Sequence, residues 1–250
     1  MTLLDAAEEL ASQNSHSSHP TAVQEHKSGK LLNALAEHSQ VEEKRGFLLD
    51  AALHHGLVTI LYALFFSGDV LSRTVDKSDV TTMLLRDMTK REPWTAAQRW
   101  RALAASAGGS RLSSSSVWKT SLAEQTQSIV ALFAWVHRQP LETFEPLVSK
   151  IETHLESLFN DANQLSITSR RDVLSTRMSV VVAPESKGTS LPFDPNRINS
   201  VWADMGPVKG DEVISLHKFG LKRMTEQGQG TLLIKPEVTT AALLREMAKT

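Results

Sequence analysis

Histidine is the residue of this chain best suited to acid–base chemistry, because the 250 residues include nine histidines and no cysteine. His54 and His55 lie together in an apolar stretch, and His217 lies in a stretch of β-branched residues. A histidine becomes a general base when a Ser, Asp or Glu at a suitable spacing orients it or supplies its proton. We recognise no such spacing around these residues. We therefore interpret all three as structural histidines with satisfied hydrogen bonds.

A second histidine group, His16, His19 and His26, lies in the polar, Ser-rich tract Asn14–His26. Imidazoles bind zinc, but this tract has too few apolar residues to hold three of them in one geometry, and we expect it to be disordered. Metal binding there should be adventitious or absent. A di-metal carboxylate bundle would need a repeated Glu-x-x-His pair, which the sequence lacks. The sequence thus predicts neither a metal site nor a cofactor.

The short signatures of common enzymes are absent from the sequence. The motifs GxxxxGK[ST], GxGxxG, GxSxG and HExxH each place backbone amides or side chains at a reacting centre. None of them occurs. This favours a protein that acts without chemistry, while an active site built from dispersed residues stays open.

One region, Arg86–Lys119, combines positive charge with tryptophan, and its basic side chains outnumber its acids. Cations that meet phosphates beside rings that stack on bases are how proteins grip single-stranded nucleic acid. The competing interpretation is an ordinary helix surface with tryptophans in the core. The residues that a nucleic acid would contact are Arg91, Arg99, Arg101, Trp94 and Trp100.

Composition indicates where the protein acts. Lys and Arg total 27 against 28 Asp and Glu, so no global field attracts nucleic acid or anionic membranes. The absence of cysteine fits a reducing compartment. The opening MTLLDAAEELASQ lacks the basic and apolar segments of a signal peptide, and the apolar run Gly56–Phe66 is shorter than the roughly 20 residues of a membrane span. We expect a cytoplasmic protein with no membrane span.

The spacing of apolar residues predicts a helical body of five to six helices. From Val41 onward the pattern broadens until the helix is apolar nearly all round, which predicts a central helix buried on several sides. Pro93 should begin a helix that ends before Gly108 and Gly109. Further helices are predicted at Val117–Arg138 and Leu141–Leu158, and the short helices Leu3–Ala11 and Lys30–His38 need a surface to dock on.

The composition changes near residue 178. The stretch Met178–Val238, here called the β module, carries β-branched runs bounded by Gly, Pro and Asp, which are typical of strands. The sequence therefore predicts an α+β fold, with a mainly helical body and a small C-terminal β-rich module. Its expected segments are 1–40, largely flexible with short helices; 41–168, a helical domain; and 169–250, the β-rich part with a terminal helix.

Three segments of the β module, GTSLPFDPNRINSVW, GDEVISLHKFGLKR and LLIKPEV, follow one another in order. They resemble the C-terminal wing of GrpE-type nucleotide exchange factors in their turn and strand motifs. The matching positions are Gly188, Phe193, Asp194, Pro195, Gly210, Val213, Ile214, Lys218, Gly220, Leu221, Lys235, Pro236 and Val238. The resemblance implies that the module opens the nucleotide cleft of a DnaK-type chaperone. It implies partner contacts at Phe193, Asp194, Pro195, Lys218, Phe219, Gly220 and Lys235.

The same motif has a physical interpretation. Pro195 holds Asp194 extended, so that Asp194 can help to cap a helical stretch at Asn196–Ala203. Gly220 should supply a turn with positive φ.

Together these observations predict a non-enzymatic intracellular protein-interaction or regulatory protein, co-chaperone-like in its β module. The alternative is a nucleic-acid or capsid-associated binding protein that uses residues 86–119. The oligomeric state is left open.

Overall fold

A computed structural model of the chain describes residues 22–38, 41–67, 87–88, 90–112, 116–173, 175–182 and 192–249. Within them the α-helices are α1 (Ala22–His38), α2 (Glu42–Leu61), α3 (Trp94–Leu112), α4 (Ser116–His137), α5 (Glu145–Arg171) and α6 (Ala241–Met247). The strands are β1 (Arg177–Val181), β2 (Asn199–Ser200), β3 (Val213–Lys218), β4 (Gly220–Met224), β5 (Gly230–Ile234) and β6 (Glu237–Thr240). The prediction of a mainly helical α+β fold is confirmed. Leu3–Ala11, His16, His19, Arg86 and Gly188 lie outside the described residues.

The central helix α2 is buried along one stripe rather than on several sides. Its buried residues recur every three or four positions and continue through a π-helical turn, Tyr62–Phe66, that extends the helix: Leu48, Ala51, His55, Val58, Leu61 and Phe65. Gly56 and Ala63 on the opposite side are exposed. The expectation of burial on several sides was wrong, because the described helices and strands cover only one side of α2 and its flanks.

The helical stretch Glu42–Phe66 is also long and apolar enough to cross a membrane, judged by length and composition alone. Core helices of soluble proteins meet the same criterion, so this finding is weak evidence for a membrane span. The expectation that the chain has no span stays a prediction.

Two other helix ends differ from the predictions. Helix α3 begins next to Pro93, as expected, but runs through Gly108 and Gly109 to Leu112, since a helical glycine costs only about 1 kcal/mol and stops a helix only in a suitable cap. Helix α5 continues past Leu158 to Arg171, because a second buried stripe follows Leu155: Phe159, Ala162, Asn163 and Ser166. Helix α1 begins at Ala22, so the tract expected to be disordered overlaps it.

The β module is built around one long bent hairpin. One arm is β3 followed by β4, the other is β5 followed by β6, and the tip closes where the Thr225 amide donates to the Gln229 carbonyl at 2.9 Å. Its outer half belongs to the antiparallel sheet β1-β4-β5, and its inner half belongs to the sheet β2-β6-β3, in which β2 is parallel to β6. The arms change sheet at Phe219 on one side and at Lys235 and Pro236 on the other.

Two local predictions in the module were wrong. Asn196–Ala203 is not a helical stretch: after one turn at Pro195–Arg197 it forms β2, because the amides of Asn199 and Val201 donate to the carbonyls of Pro236 and Val238. Asp194 still caps that turn, accepting the Asn196 amide at 3.1 Å. Gly220 lies in β4 rather than in a turn, and it is not among the positive-φ residues, where the described glycines are Gly206, Gly210 and Gly228.

The core joins the helical body to the module. One cluster of buried residues draws on α1, α2, α4, β3 and α6: Leu31, Leu35, Leu48, Ala51, Val136, Ile214, Leu243 and Met247. A second lies between the end of α2, α4 and α5, where Phe65, Trp118 and Phe159 meet edge to face with ring centroids 5.5 to 5.7 Å apart. A third, smaller cluster lies inside the module. Because β3 packs along α2, the inner sheet shares its core with the helices, and Lys30–His38 docks there as expected.

Candidate functional site

The seam between α2 and β3 brings together a carboxylate and two imidazoles. Asp50 and His54 lie one helical turn apart on α2, and His217 lies on β3. The rings of His54 and His217 stack with centroids 3.8 Å apart and planes 15° from parallel, and Trp202 meets the His217 ring edge to face at 5.8 Å. The tryptophan also packs against Phe47 of α2. The stack is therefore held from both elements.

Ring nitrogens of both histidines face the Asp50 carboxylate. His54 Nε2 lies 3.6 Å from one carboxylate oxygen, and His217 Nδ1 lies 4.0 Å from the other. His54 Nδ1 lies 3.2 Å from the backbone carbonyl of His217 and can donate to it. His217 is 6% exposed, and its buried Nδ1 has no hydrogen-bond partner in the part of the chain that the structure describes. The side chains of Asp50 and His54 are half-exposed, so the cluster opens to solvent on one side.

The surroundings favour a neutral His217. Burial, followed by the charge of His54, lowers the pKa of His217, with a smaller contribution from Lys218, while Asp50 and Glu237 oppose this effect. A buried imidazole that stays neutral keeps a lone pair available, because desolvation penalises its charged form. Such a group can accept a hydrogen bond or bind a metal ion.

Sequence reasoning missed this cluster. We found no acid at a useful spacing from His54, yet Asp50 is four residues before it, a spacing that places both side chains on the same helix face. That signal was present. The contribution of His217 could not be read from the sequence, because it depends on how β3 lies on α2. His55 matches its prediction: it is buried, and its Nδ1 lies 3.2 Å from the Leu216 amide, which donates to it.

The seven residues to which the wing resemblance assigned partner contacts are largely occupied within the chain. Phe193 is 4% exposed inside the module, and Phe219 packs on Phe66 with ring centroids 5.4 Å apart. Lys235 Nζ donates to the Pro195 carbonyl at 2.8 Å, and Lys218 pairs with Glu237 at 2.8 Å. Gly220 is buried, Asp194 caps a turn, and Pro195 is exposed. These residues specify the shape of the module.

The five residues proposed to bind nucleic acid are not all exposed. Arg91 and Arg99 are exposed, but Arg101 is 5% exposed and donates to the Val173 carbonyl at 3.0 Å. Trp94 and Trp100 are half-buried. A guanidinium committed to a backbone carbonyl is poorly placed to reach a phosphate.

The exposed apolar edge of the module lies on β5. All five residues of this strand are exposed, including Leu232, Leu233 and Ile234 at 36%, 46% and 56%. Neighbouring residues of a strand point to opposite faces, so no described residue covers either face of the sheet at β5. Among the described strands, β5 pairs with β4 alone, which leaves its outer row of backbone groups at the sheet edge.

The charges of this sheet have a single sign. Its strands contain Arg177, Lys222 and Arg223 and no acidic residue. The other edge strand, β1, is mostly half-buried and lies against α5. Among the described residues, the sheet therefore offers one accessible edge, β5, which is apolar and lies beside Lys222 and Arg223 of β4.

No protein-family model, curated protein or solved structure matches the chain.

Proposed function

We propose that this chain is a non-enzymatic protein-interaction protein, which captures an extended segment of a partner along the outer edge of β5. The observation that carries the proposal is the exposure of Leu232, Leu233 and Ile234 on a strand that pairs, among the described strands, with β4 alone. Proteins usually protect such edges with charges, proline or a covering element, because an open edge recruits other strands. Here β5 carries no charged residue.

Strand addition is the binding mode that suits this surface. An added strand gains main-chain hydrogen bonds from the edge, and its alternate side chains contact the apolar residues on each face. Leu232 and Ile234 lie on one face and Leu233 on the other. A partner segment with apolar residues at successive positions would cover all three.

Charge indicates the chemistry of the partner. Because β4, the strand paired with β5, carries Lys222 and Arg223 without an acid, an acidic and apolar segment is favoured over a basic one. A second copy of this chain would bring the same cations to the interface, where like charges oppose association. A separate acidic and apolar partner is therefore the occupant that we propose.

The resemblance to the exchange-factor wing names a partner class, a DnaK-type chaperone, and this assignment remains part of the proposal. The internal packing of Phe193, Phe219 and Lys235 supports a structural role for the matching residues. The exposed residues of β5 would then make the contacts with the partner. Acceleration of nucleotide release from a purified DnaK-type chaperone by the full-length protein tests this partner directly.

A peptide titration tests the docking surface. The probe is a fluorescent peptide with a run of successive valines flanked by glutamates, and the matched control peptide has the same valines flanked by lysines. We expect the acidic peptide to bind the full-length protein and the basic one to bind at least about tenfold more weakly. Leu233→Lys should weaken binding of the acidic peptide by about tenfold or more, because it places a charge where an apolar contact forms.

Val208→Lys is the control variant, since Val208 is 59% exposed in the same module but lies outside β5. It should leave the affinity unchanged. Equal weakening by both variants would refute docking on β5. A wild-type protein that dimerises, and becomes monomeric on Leu233→Lys, would instead assign the edge to a second copy.

The nucleic-acid alternative stays a prediction with a smaller set of residues, because Arg101 is bonded within the chain. A single-stranded RNA or DNA that binds in a salt-dependent manner through Arg91 and Arg99 would support it.

A further inference from the structure

The geometry points to a binding site for a divalent transition-metal ion, zinc above all, formed by Asp50, His54 and His217. Their candidate ligand atoms, a carboxylate oxygen and two ring nitrogens, all lie within 4.8 Å of one another. Two imidazoles and a carboxylate are a ligand set that suits zinc, and solvent can complete a tetrahedral shell from the open side. The site is independent of the β5 surface.

The unpartnered nitrogen of His217 is the observation that separates this cluster from an ordinary surface group. Its Nδ1 is buried without a hydrogen-bond partner among the described residues, and it faces Asp50 at 4.0 Å. A buried polar atom without a partner costs free energy, and in a native structure it needs a reason such as an ion. A bound cation would use this lone pair.

The contact of His54 with the β3 backbone supports the same assignment. With Nδ1 protonated, His54 donates to the His217 carbonyl at 3.2 Å, so its Nε2 lone pair faces Asp50. Metal-binding histidines commonly donate their second ring nitrogen to a backbone carbonyl or a carboxylate, which fixes the tautomer. The chain therefore supplies the second layer of contacts for one of the two imidazoles.

Metal binding requires the ligand groups to move. With Zn–N and Zn–O bonds of about 2.0–2.2 Å, tetrahedral ligand atoms lie about 3.3 Å apart. The three candidate atoms lie within 4.8 Å of one another, and the two histidines face different oxygens of Asp50, at 3.6 and 4.0 Å. The stacked rings must also tilt so that their lone pairs meet. Asp50 and His54 can make these movements because their side chains are half-exposed. His217, held against Trp202, would serve as the fixed ligand.

A metal ion here would join α2 to β3. Since the two elements share the main core, binding to the folded state alone would raise the unfolding temperature with ion concentration. Metal occupancy would then set how firmly the β module is held to the helices.

The test must separate this site from the histidines of the N-terminal tract. The starting protein is therefore the full chain with His16→Gln, His19→Gln and His26→Gln. We expect it to bind one Zn²⁺ per chain by titration calorimetry, to gain thermal stability with Zn²⁺, and to give a visible Co²⁺ spectrum of a tetrahedral complex. Asp50→Asn in this background should weaken Zn²⁺ binding by at least about tenfold, in the range found when a metal-site contact is removed, and His54→Gln should weaken it further.

Long-range ¹H–¹⁵N NMR of the protein without ligand substitutions keeps the test independent of folding defects. Zn²⁺ should shift His217 Nδ1 and His54 Nε2, and leave His54 Nδ1 protonated. The assignment would be overturned if the tract-substituted protein does not bind Zn²⁺. It would also be overturned if Asp50→Asn and His54→Gln bind Zn²⁺ as tightly as the tract-substituted protein does. The cluster would then be a side-chain contact between α2 and β3 that binds no metal ion.

Discussion

Gly220 faces Pro236 across the bend of the long hairpin, so closely that a Cβ on Gly220 would lie 2.7 Å from the proline ring. The carbonyl oxygen of Ile234 lies at the same distance from that position. Both neighbours are backbone or ring atoms, which cannot turn away. The bend between the two sheets thus depends on a close approach of the two arms at a residue without a side chain.

Gly220→Ala should lower the free energy of unfolding by about 1–3 kcal/mol, because the arms must separate to admit the methyl group. Urea unfolding followed by circular dichroism measures the change. Gly220→Asn should be more damaging than Gly220→Ala, since the larger side chain needs more room. A smaller loss with asparagine than with alanine would instead support a left-handed conformation at residue 220, because asparagine tolerates that conformation better than alanine.

Gly230→Ala is the matched control on β5. The atoms nearest to an added methyl group there are the flexible ends of Lys222 and Met224, which can move away. We expect a loss well below that of Gly220→Ala in the same urea experiment. An equal loss of unfolding free energy in the two variants would show that the close contact between Gly220 and Pro236 does not determine the effect.

Leu61→Ala should cost about 2–5 kcal/mol, because Leu61 is buried in the cluster shared by α2, α4 and α5 and the truncation leaves a cavity. Urea unfolding provides the measurement. Leu103→Ala on α3 is the control, since Leu103 is 71% exposed and should change stability by less than about 0.5 kcal/mol. A small effect at Leu61 would mean that this end of α2 is covered by something other than the chain's own core.

Asp211 gives the protein a predictable response to acid. Its carboxylate accepts two hydrogen bonds from Arg245, at 2.9 and 2.7 Å, and the Val208 amide at 2.9 Å. The Arg245 bonds lower the pKa of Asp211 most; burial opposes them, and the amide adds to the lowering. Because the folded pKa lies below the unfolded value of about 3.9, the stabilisation is present above that pH and is lost as pH falls through the folded pKa.

Asp211→Asn should therefore lower the free energy of unfolding by about 1–3 kcal/mol at neutral pH, and the difference from wild type should shrink below about pH 4. Urea titrations at several pH values measure this. Asp172→Asn, which breaks an exposed pair with Arg171, should stay near wild type throughout. A difference at Asp211 that does not depend on pH would show that the carboxylate acts by shape alone.

Arg101 distinguishes structure from nucleic-acid binding in the basic region. Arg101→Gln should lower the free energy of unfolding by about 1–3 kcal/mol, because it removes the buried donor to the Val173 carbonyl. Arg99→Gln on the exposed side should not. The result contradicts this account if Arg101→Gln keeps its stability and instead reduces the salt dependence of single-stranded RNA binding.

Periodicity and turn chemistry were sufficient to predict the helical body and the β module. The apolar spacing of Leu48 to Phe65 identifies α2, and the β-branched runs identify β3 and β6. Helix extent was harder, since Gly108 and Gly109 lie within α3 and the buried stripe of α5 continues beyond Leu158. Local signals do not report the tertiary contacts that extend a helix.

The sites depended on tertiary structure to a greater degree. Asp50 and His54 share a helix face by spacing alone, but His217 reaches them only because β3 lies along α2. The sequence predicted a positive-φ turn at Gly220, whereas the structure requires glycine there because of close packing against Pro236. Such packing leaves no pattern in the local sequence. The exposure of β5 could not be read from GTLLI, an apolar run that equally suits a buried strand.

Amide hydrogen exchange with and without the saturating valine–glutamate peptide tests docking on β5 most directly. The outward-pointing amides of Gly230–Ile234 should exchange at least about tenfold more slowly when the peptide is bound, because they donate to the peptide rather than to β4. Arg177–Val181, on the opposite edge of the same sheet, should exchange at an unchanged rate. Protection that appears at Arg177–Val181 or on the helices instead of on β5, or no protection at saturation, would contradict this docking.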